Sequence, residues 1–139
     1  MATVQADLWP NTFPVIDTVT PVTILRKQAA LLEKKTNGLV VAEVRSGIDY
    51  NSNVSVISRG QEVPLLHSFY LIAPALENYR YQLFRLKQSI DLYPIEVSAG
   101  PIDDVTVENE QQLEETLKKI FASEKTQKVI QSLIAQSMS

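Results

Sequence analysis

The sequence contains no cysteine and only one histidine, His67. Without cysteine there is no thiol nucleophile, disulfide, iron–sulfur cluster or thiolate zinc site. A lone imidazole rules out HExxH and any site that takes two histidines from one chain. Glycine is scarce as well: Gly38, Gly47, Gly60 and Gly100 are the only four, and each is isolated. No GxGxxG or GxxxxGK[ST] loop can therefore cradle a phosphate, and no GxSxG elbow can present a serine. Asp103 and Asp104 are adjacent but lack the further ligands of a calcium loop. Basic charge is in short supply, with 13 Lys and Arg against 16 Asp and Glu, a net charge of −3. That balance speaks against a dedicated nucleic-acid or anionic-membrane binder. No apolar run approaches the ~20 residues that span a bilayer. Residues 1–7 show neither a basic n-region nor an apolar h-region, so the expectation is a cytoplasmic protein without a signal peptide.

What is present is the material for a core. The chain has 139 residues, 45% of them hydrophobic and 21% charged. Such a chain buries roughly two-thirds of its unfolded surface and needs no covalent staple. A single globular domain over 1–139 is expected, with an irregular N-terminal arm over 1–19. The run Trp9-Pro10-Asn11-Thr12-Phe13-Pro14 lies in that arm, where two prolines disfavour a helix. Trp9 and Phe13 are expected to pin the arm to the domain by burying apolar area. The sharper alternative is an aromatic-proline segment that docks in a groove on a partner.

The spacing predicts a helix from Pro21. Thr20 suits its N-cap, Pro21 its first position, and Asn37-Gly38 its end. Ile24, Leu25, Ala29, Leu31 and Leu32 recur at helical period as its buried stripe. Strands follow at 39–45 and 65–73, the second apolar on both faces like a central strand. Residues 46–52 read as a loop, 53–58 alternate at first, and 59–62 form a turn. A strand over 79–87 would place Tyr79, Tyr81, Leu83, Arg85 and Lys87 on one face, with Arg80, Gln82, Phe84 and Leu86 on the other. Neither face is wholly apolar, which suggests a strand near an edge or a partly wet surface. Pro94 marks a short strand at 92–98 as another edge. A very short strand is expected at 105–107. Asn109 with Gln112 resembles a capping box, and Ser123 looks like a second N-cap, so 110–137 divides into two helices. Leu113, Leu117, Ile120 and Phe121 stripe the first of these, and Val129, Ile130, Leu133 and Ile134 the second.

Segregated strands and helices imply an α+β fold. It is an antiparallel sheet of about five strands, with one N-terminal helix and two C-terminal helices packed on one face. The other face is left open. The overall texture is that of a small soluble bacterial-type domain.

Candidate binding residues gather on the expected open strand face: Tyr79, Tyr81, Arg85 and Lys87, joined by Arg45 if its strand is adjacent. Tyrosine and arginine are enriched at recognition surfaces, although tyrosine is also simply a good strand former. His67, in the apolar central strand, reads first as a hydrogen-bonded core histidine. Its functional alternative is a general base in a cleft. The expected function is a non-enzymatic protein-interaction or regulatory module, whose partner is another protein or a second copy of the chain. One alternative is a small-ligand binder or enzyme with a pocket on the open face around His67, Tyr70 or Arg85. Another is a structural homodimer without a site of its own. No cofactor or metal is expected.

Overall fold

The computed structural model describes residues 6–15, 17–49, 63–100 and 102–139. Helix α1 (Pro21–Lys35) leads into β1 (Val41–Ile48) and β2 (Leu65–Ala73). A single 3₁₀ turn (Pro74–Leu76) joins β2 to β3 (Tyr79–Gln88). Strands β4 (Ile95–Ala99) and β5 (Ile102–Val107) complete the sheet before helices α2 (Glu110–Ala122) and α3 (Glu124–Ser137). The five strands pair in chain order, every neighbour antiparallel. From β2 onward the connections are too short for a parallel crossover, which needs a dozen or more residues, whereas the antiparallel pairing of β1 with β2 rests on their register and not on the length of residues 49–64. The alternating run at 53–58 lies outside the described residues.

Local chemistry sets the helix ends. Thr20 is extended and its Oγ1 accepts from the Thr23 N–H, while Pro21 occupies the first turn. At the far end Asn37 (φ 53°) and Gly38 (φ 79°) enter the left-handed region, and the Gly38 N–H donates to the Glu33 carbonyl. Glycine takes that conformation without a Cβ clash, which is why the helix stops there. Thr36 then fastens the exit. Its hydroxyl donates to the Val40 carbonyl at 2.8 Å and accepts from the Val40 N–H at 3.1 Å. The α2 cap is a variant of the capping box. Asn109 Oδ1 accepts from the Gln112 N–H, and Gln112 Oε1 reaches the Glu108 N–H rather than that of Asn109. Ser123 separates α2 from α3: its backbone is extended (ψ 150°), and its hydroxyl donates to the Ile120 carbonyl and accepts from the Thr126 N–H.

All three helices lie on one face of the sheet. Ile24 and Leu25 of α1, Leu113, Leu117 and Ile120 of α2, and Leu133 of α3 form one core with Phe69, Leu71, Phe84, Leu86, Ile95, Val97 and Val107. At its centre Phe69 and Phe84 stack at 4.9 Å, with Phe121 tilted against both at 5.7 and 5.9 Å. Offset and tilted rings are the favoured arrangements and add to the area that they bury.

Several expectations need correction. Phe69 pairs with Phe84 but Tyr70 pairs with Gln82, so Leu83 is an extra residue in β3. This bulge shifts the pleat by one residue. Tyr79 and Tyr81 therefore share the helix-bearing face with Leu83, whereas Arg85 and Lys87 share the open face with Arg80 and Gln82. The mixed polarity of β3 is thus no edge signature, and β3 is the middle strand. Strand β4 is also internal: it begins at Ile95, after Pro94, so the missing proline N–H removes nothing from the ladder. Strand β1 continues through Ser46 and Gly47 to Ile48, and β5 has six residues. Leu31 is 39% exposed rather than in the core. The arm is not pinned, since Trp9 is 72% and Phe13 67% exposed and their rings contact each other at 5.9 Å.

Candidate functional site

The face without helices is the surface on which most of the candidate residues meet. Strand pleating sends Val41, Glu43 and Arg45 of β1, and Ser68, Tyr70 and Ile72 of β2, toward it. The bulge adds both Arg80 and Arg85 from β3 to the same side. Glu43 lies between two guanidinium groups. Arg45 Nε hydrogen-bonds its Oε1, and Arg80 approaches its Oε2 at 3.5 Å. Arg80 also lies over the Tyr70 ring, 5.1 Å from its centroid, a cation–π contact. Three strands are thereby tied side chain to side chain, with Tyr70 at the middle. The hydrogen bond from Arg45 holds the Glu43 carboxyl below the ordinary carboxylate range. Burial opposes that shift, and the charges of Arg45 and Arg80 add to it.

Further along this face, Lys87 pairs with Asp49 at 3.1 Å. Arg85 stands across from Ser68 and Ser98 and has no ion pair among the described residues. A concavity of about 310 Å³ lies beside it, lined by Gln82, Ser98 and Asp104 among others. Charged residues of both signs, a tyrosine and short serines make this face suited to directed contacts rather than to a covered core.

The structure divides the expected site. It brings Arg45, Arg85 and Lys87 to one face and leaves Tyr79, Tyr81 and His67 on the other. Tyr81 is half-buried against the core, and Tyr79 borders a cavity of about 440 Å³ with Lys125, Lys128 and Gln136 of α3. Glu43 and Arg80 are central to the open face yet were not among the candidates. The signal for Arg80 was present in β3: Tyr81 and Leu83 are apolar in one phase, Phe84 and Leu86 in the other. Two adjacent buried residues in an otherwise alternating strand mark a bulge.

His67 sits beneath the helices at 7% exposure. Its Nδ1 is 2.7 Å from Ser46 Oγ across the β1–β2 ladder. Burial pushes the imidazole pKa below its ordinary value, with the nearby Gln88 amide opposing the shift and Arg26 adding to it. A serine beside a neutral imidazole is the beginning of a nucleophile–base pair. Among the described residues the other group beside the ring is Gln88, an amide whose Oε1 is itself buried without a hydrogen bond. The contact gives the buried imidazole a hydrogen-bond partner on the neighbouring strand. Tyr70 and Arg85 cannot join His67 in one pocket, because the sheet lies between them.

Between α1 and the C-terminal helices runs a trough. Its upper part, about 590 Å³, lies between Ile24 and Gln28 of α1 and Leu117, Lys118 and Phe121 of α2. Its lower part, about 210 Å³, has Phe69, Leu71 and Leu83 as its floor. Among the described residues no group of three or more His, Asp or Glu is placed to hold a metal ion. No helix among them is long and apolar enough to cross a membrane.

Fold and surface together define an α+β meander with helices on one face and a charged, aromatic surface on the other. No family model, curated protein or solved structure matches the chain.

Proposed function

We propose that the chain is a cytoplasmic, non-enzymatic protein-interaction module that recognises its partner through the open sheet face. The observation that carries this reading is the cross-strand arrangement of Glu43, Arg80 and Tyr70, flanked by Arg45 and by Arg85. Recognition surfaces draw their energy from a few arginine and aromatic side chains held in place by neighbours. Arg80 meets that description, because its position is set by a ring below and a carboxylate beside it. The ligand is read as a protein with acidic side chains opposite Arg85 and Arg45, since bidentate arginine–carboxylate pairs are the strong, directed contacts available here.

The test compares the tagged full chain with its Arg80→Glu and Arg85→Glu variants in co-purification from the native host. A partner retained by the parent and lost from both variants, with Arg85→Glu melting as the parent does and Arg80→Glu still folded, is the expected result. A partner retained equally by all three proteins would place recognition elsewhere. The small-ligand alternative finds less support, because the concavity beside Arg85 lies open on the sheet surface and His67 is on the opposite side.

A further inference from the structure

The arm and the trough are complementary and unused. Leu8 is 83% and Val15 93% exposed, so with Trp9, Phe13 and Val19 the described part of the arm holds five large apolar side chains in solvent. Its own hydrogen bond is internal, from the Trp9 N–H to Asp7 Oδ1 at 3.1 Å. Clustered exposed apolar groups of this kind mark an interaction segment. The trough is the matching absence: an apolar channel to which the partly buried Leu32, Phe121 and Ile130 present surface above the buried Phe69 and Leu71, with Leu31 open to solvent on one wall. Its upper part of about 590 Å³ falls within the ~300–1,000 Å³ of sites that enclose a ligand group. Charge also agrees. The arm over residues 6–19 carries Asp7 and Asp17 and no cation. The trough rim carries Lys35 and Lys118 against Glu114.

We infer that the arm of one copy, through Trp9 and Phe13, seats in the trough of a second copy, and that reciprocal exchange makes a two-fold dimer. The second copy is favoured over the arm's own body by the geometry of entry into α1. Thr20 is extended (φ −79°, ψ 154°) immediately before Pro21, where the helical conformation is disfavoured, so the arm leaves α1 extended. Pro10 and Pro14 stiffen the arm further, so less conformational entropy is lost when it docks. Two arms with two aromatic residues each, at roughly 150–250 Å² per ring and counted with the surface that they cover, reach the ~1,200–2,000 Å² of a stable interface. The exchange is reciprocal, so it closes at two copies and does not propagate.

Trp9 is the only tryptophan of the chain, which makes its fluorescence a direct reporter of the arm. The experiment follows Trp9 emission and molar mass together as the full chain is concentrated from about 1 μM to about 1 mM, a span that covers weak to moderate association. The expected result is a blue shift that tracks conversion of monomer to dimer. Leu31→Glu in the trough and Phe13→Ser in the arm each move that conversion to at least about tenfold higher concentration, the equivalent of about 1.4 kcal/mol. Three results would overturn the inference: red emission and monomer mass throughout, a dimer whose Trp9 stays solvent-exposed, or blue emission that does not depend on concentration. The last would place the arm in its own trough.

Discussion

Phe69→Ala removes the ring at the centre of the core. Phe69 is 1% exposed, stacks on Phe84 at 4.9 Å and touches Phe121 at 5.7 Å. Transfer of a fully buried phenyl ring accounts for about 1.5–3 kcal/mol. Each aromatic contact adds about 0.5–1.5 kcal/mol beyond area. A residual cavity costs more, but here the void opens into the trough that Phe69 already floors, so water or a shift of Phe121 relieves part of it. The expected loss is therefore within the ~3–5 kcal/mol typical of such truncations. A loss of that size is a large part of a domain's ~5–15 kcal/mol, so Phe69→Leu, expected to cost less, serves as the folded companion. Urea unfolding should be followed by far-ultraviolet circular dichroism. Tryptophan emission is unsuitable, because the one indole lies exposed in the arm. A Phe69→Ala loss below about 1 kcal/mol would refute the packing described for β2, β3 and α2.

Three further outcomes follow from the same geometry. The His67 pKa is lowered in the folded chain, so below the unfolded value of about 6.5 the unfolded state binds the extra proton. Stability is therefore expected to hold above about pH 6.5 and to fall as the pH drops below it, by no more than about 1.4 kcal/mol per pH unit; His67→Gln should flatten that fall, and an unchanged slope would contradict the buried neutral imidazole. Tyr81→Ala and Arg85→Ala should behave unequally: the first removes a half-buried ring from the core edge and costs about 1–3 kcal/mol, the second stays within about 0.5 kcal/mol. Equal melting temperatures would argue against the bulge at Leu83. Tyr93→Phe is expected to leave stability unchanged or raise it slightly, because the Tyr93 hydroxyl is buried without a partner; a loss above about 1 kcal/mol would show that it is paired.

Helix ends were the most legible features because each is written in a few adjacent residues. Thr20-Pro21, Asn37-Gly38, Asn109 with Gln112, and Ser123 all act where the sequence places them. The meander was legible from β2 onward, because those connections are too short for a parallel crossover. The open face was legible as a surface but not in its membership. Alternation assigns sides only while the pleat is unbroken, and one extra residue at Leu83 moves Tyr79 and Tyr81 to the helices and Arg80 to the open side. Pro94 misled for a related reason: its meaning depends on whether it lies inside the strand or one residue before it. The arm was misread because area burial is a tendency of the whole chain, and Trp9 and Phe13 pair with each other instead of with the body.

The central claim is that the open sheet face binds another protein. Native mass spectrometry of the chain gently purified from its own host tests it most directly. The expected result is a heteromeric mass for the parent that persists in Trp9→Ala and is lost in Arg80→Glu. A heteromer that survives Arg80→Glu, or a chain found only by itself or with a small adduct, would contradict the claim.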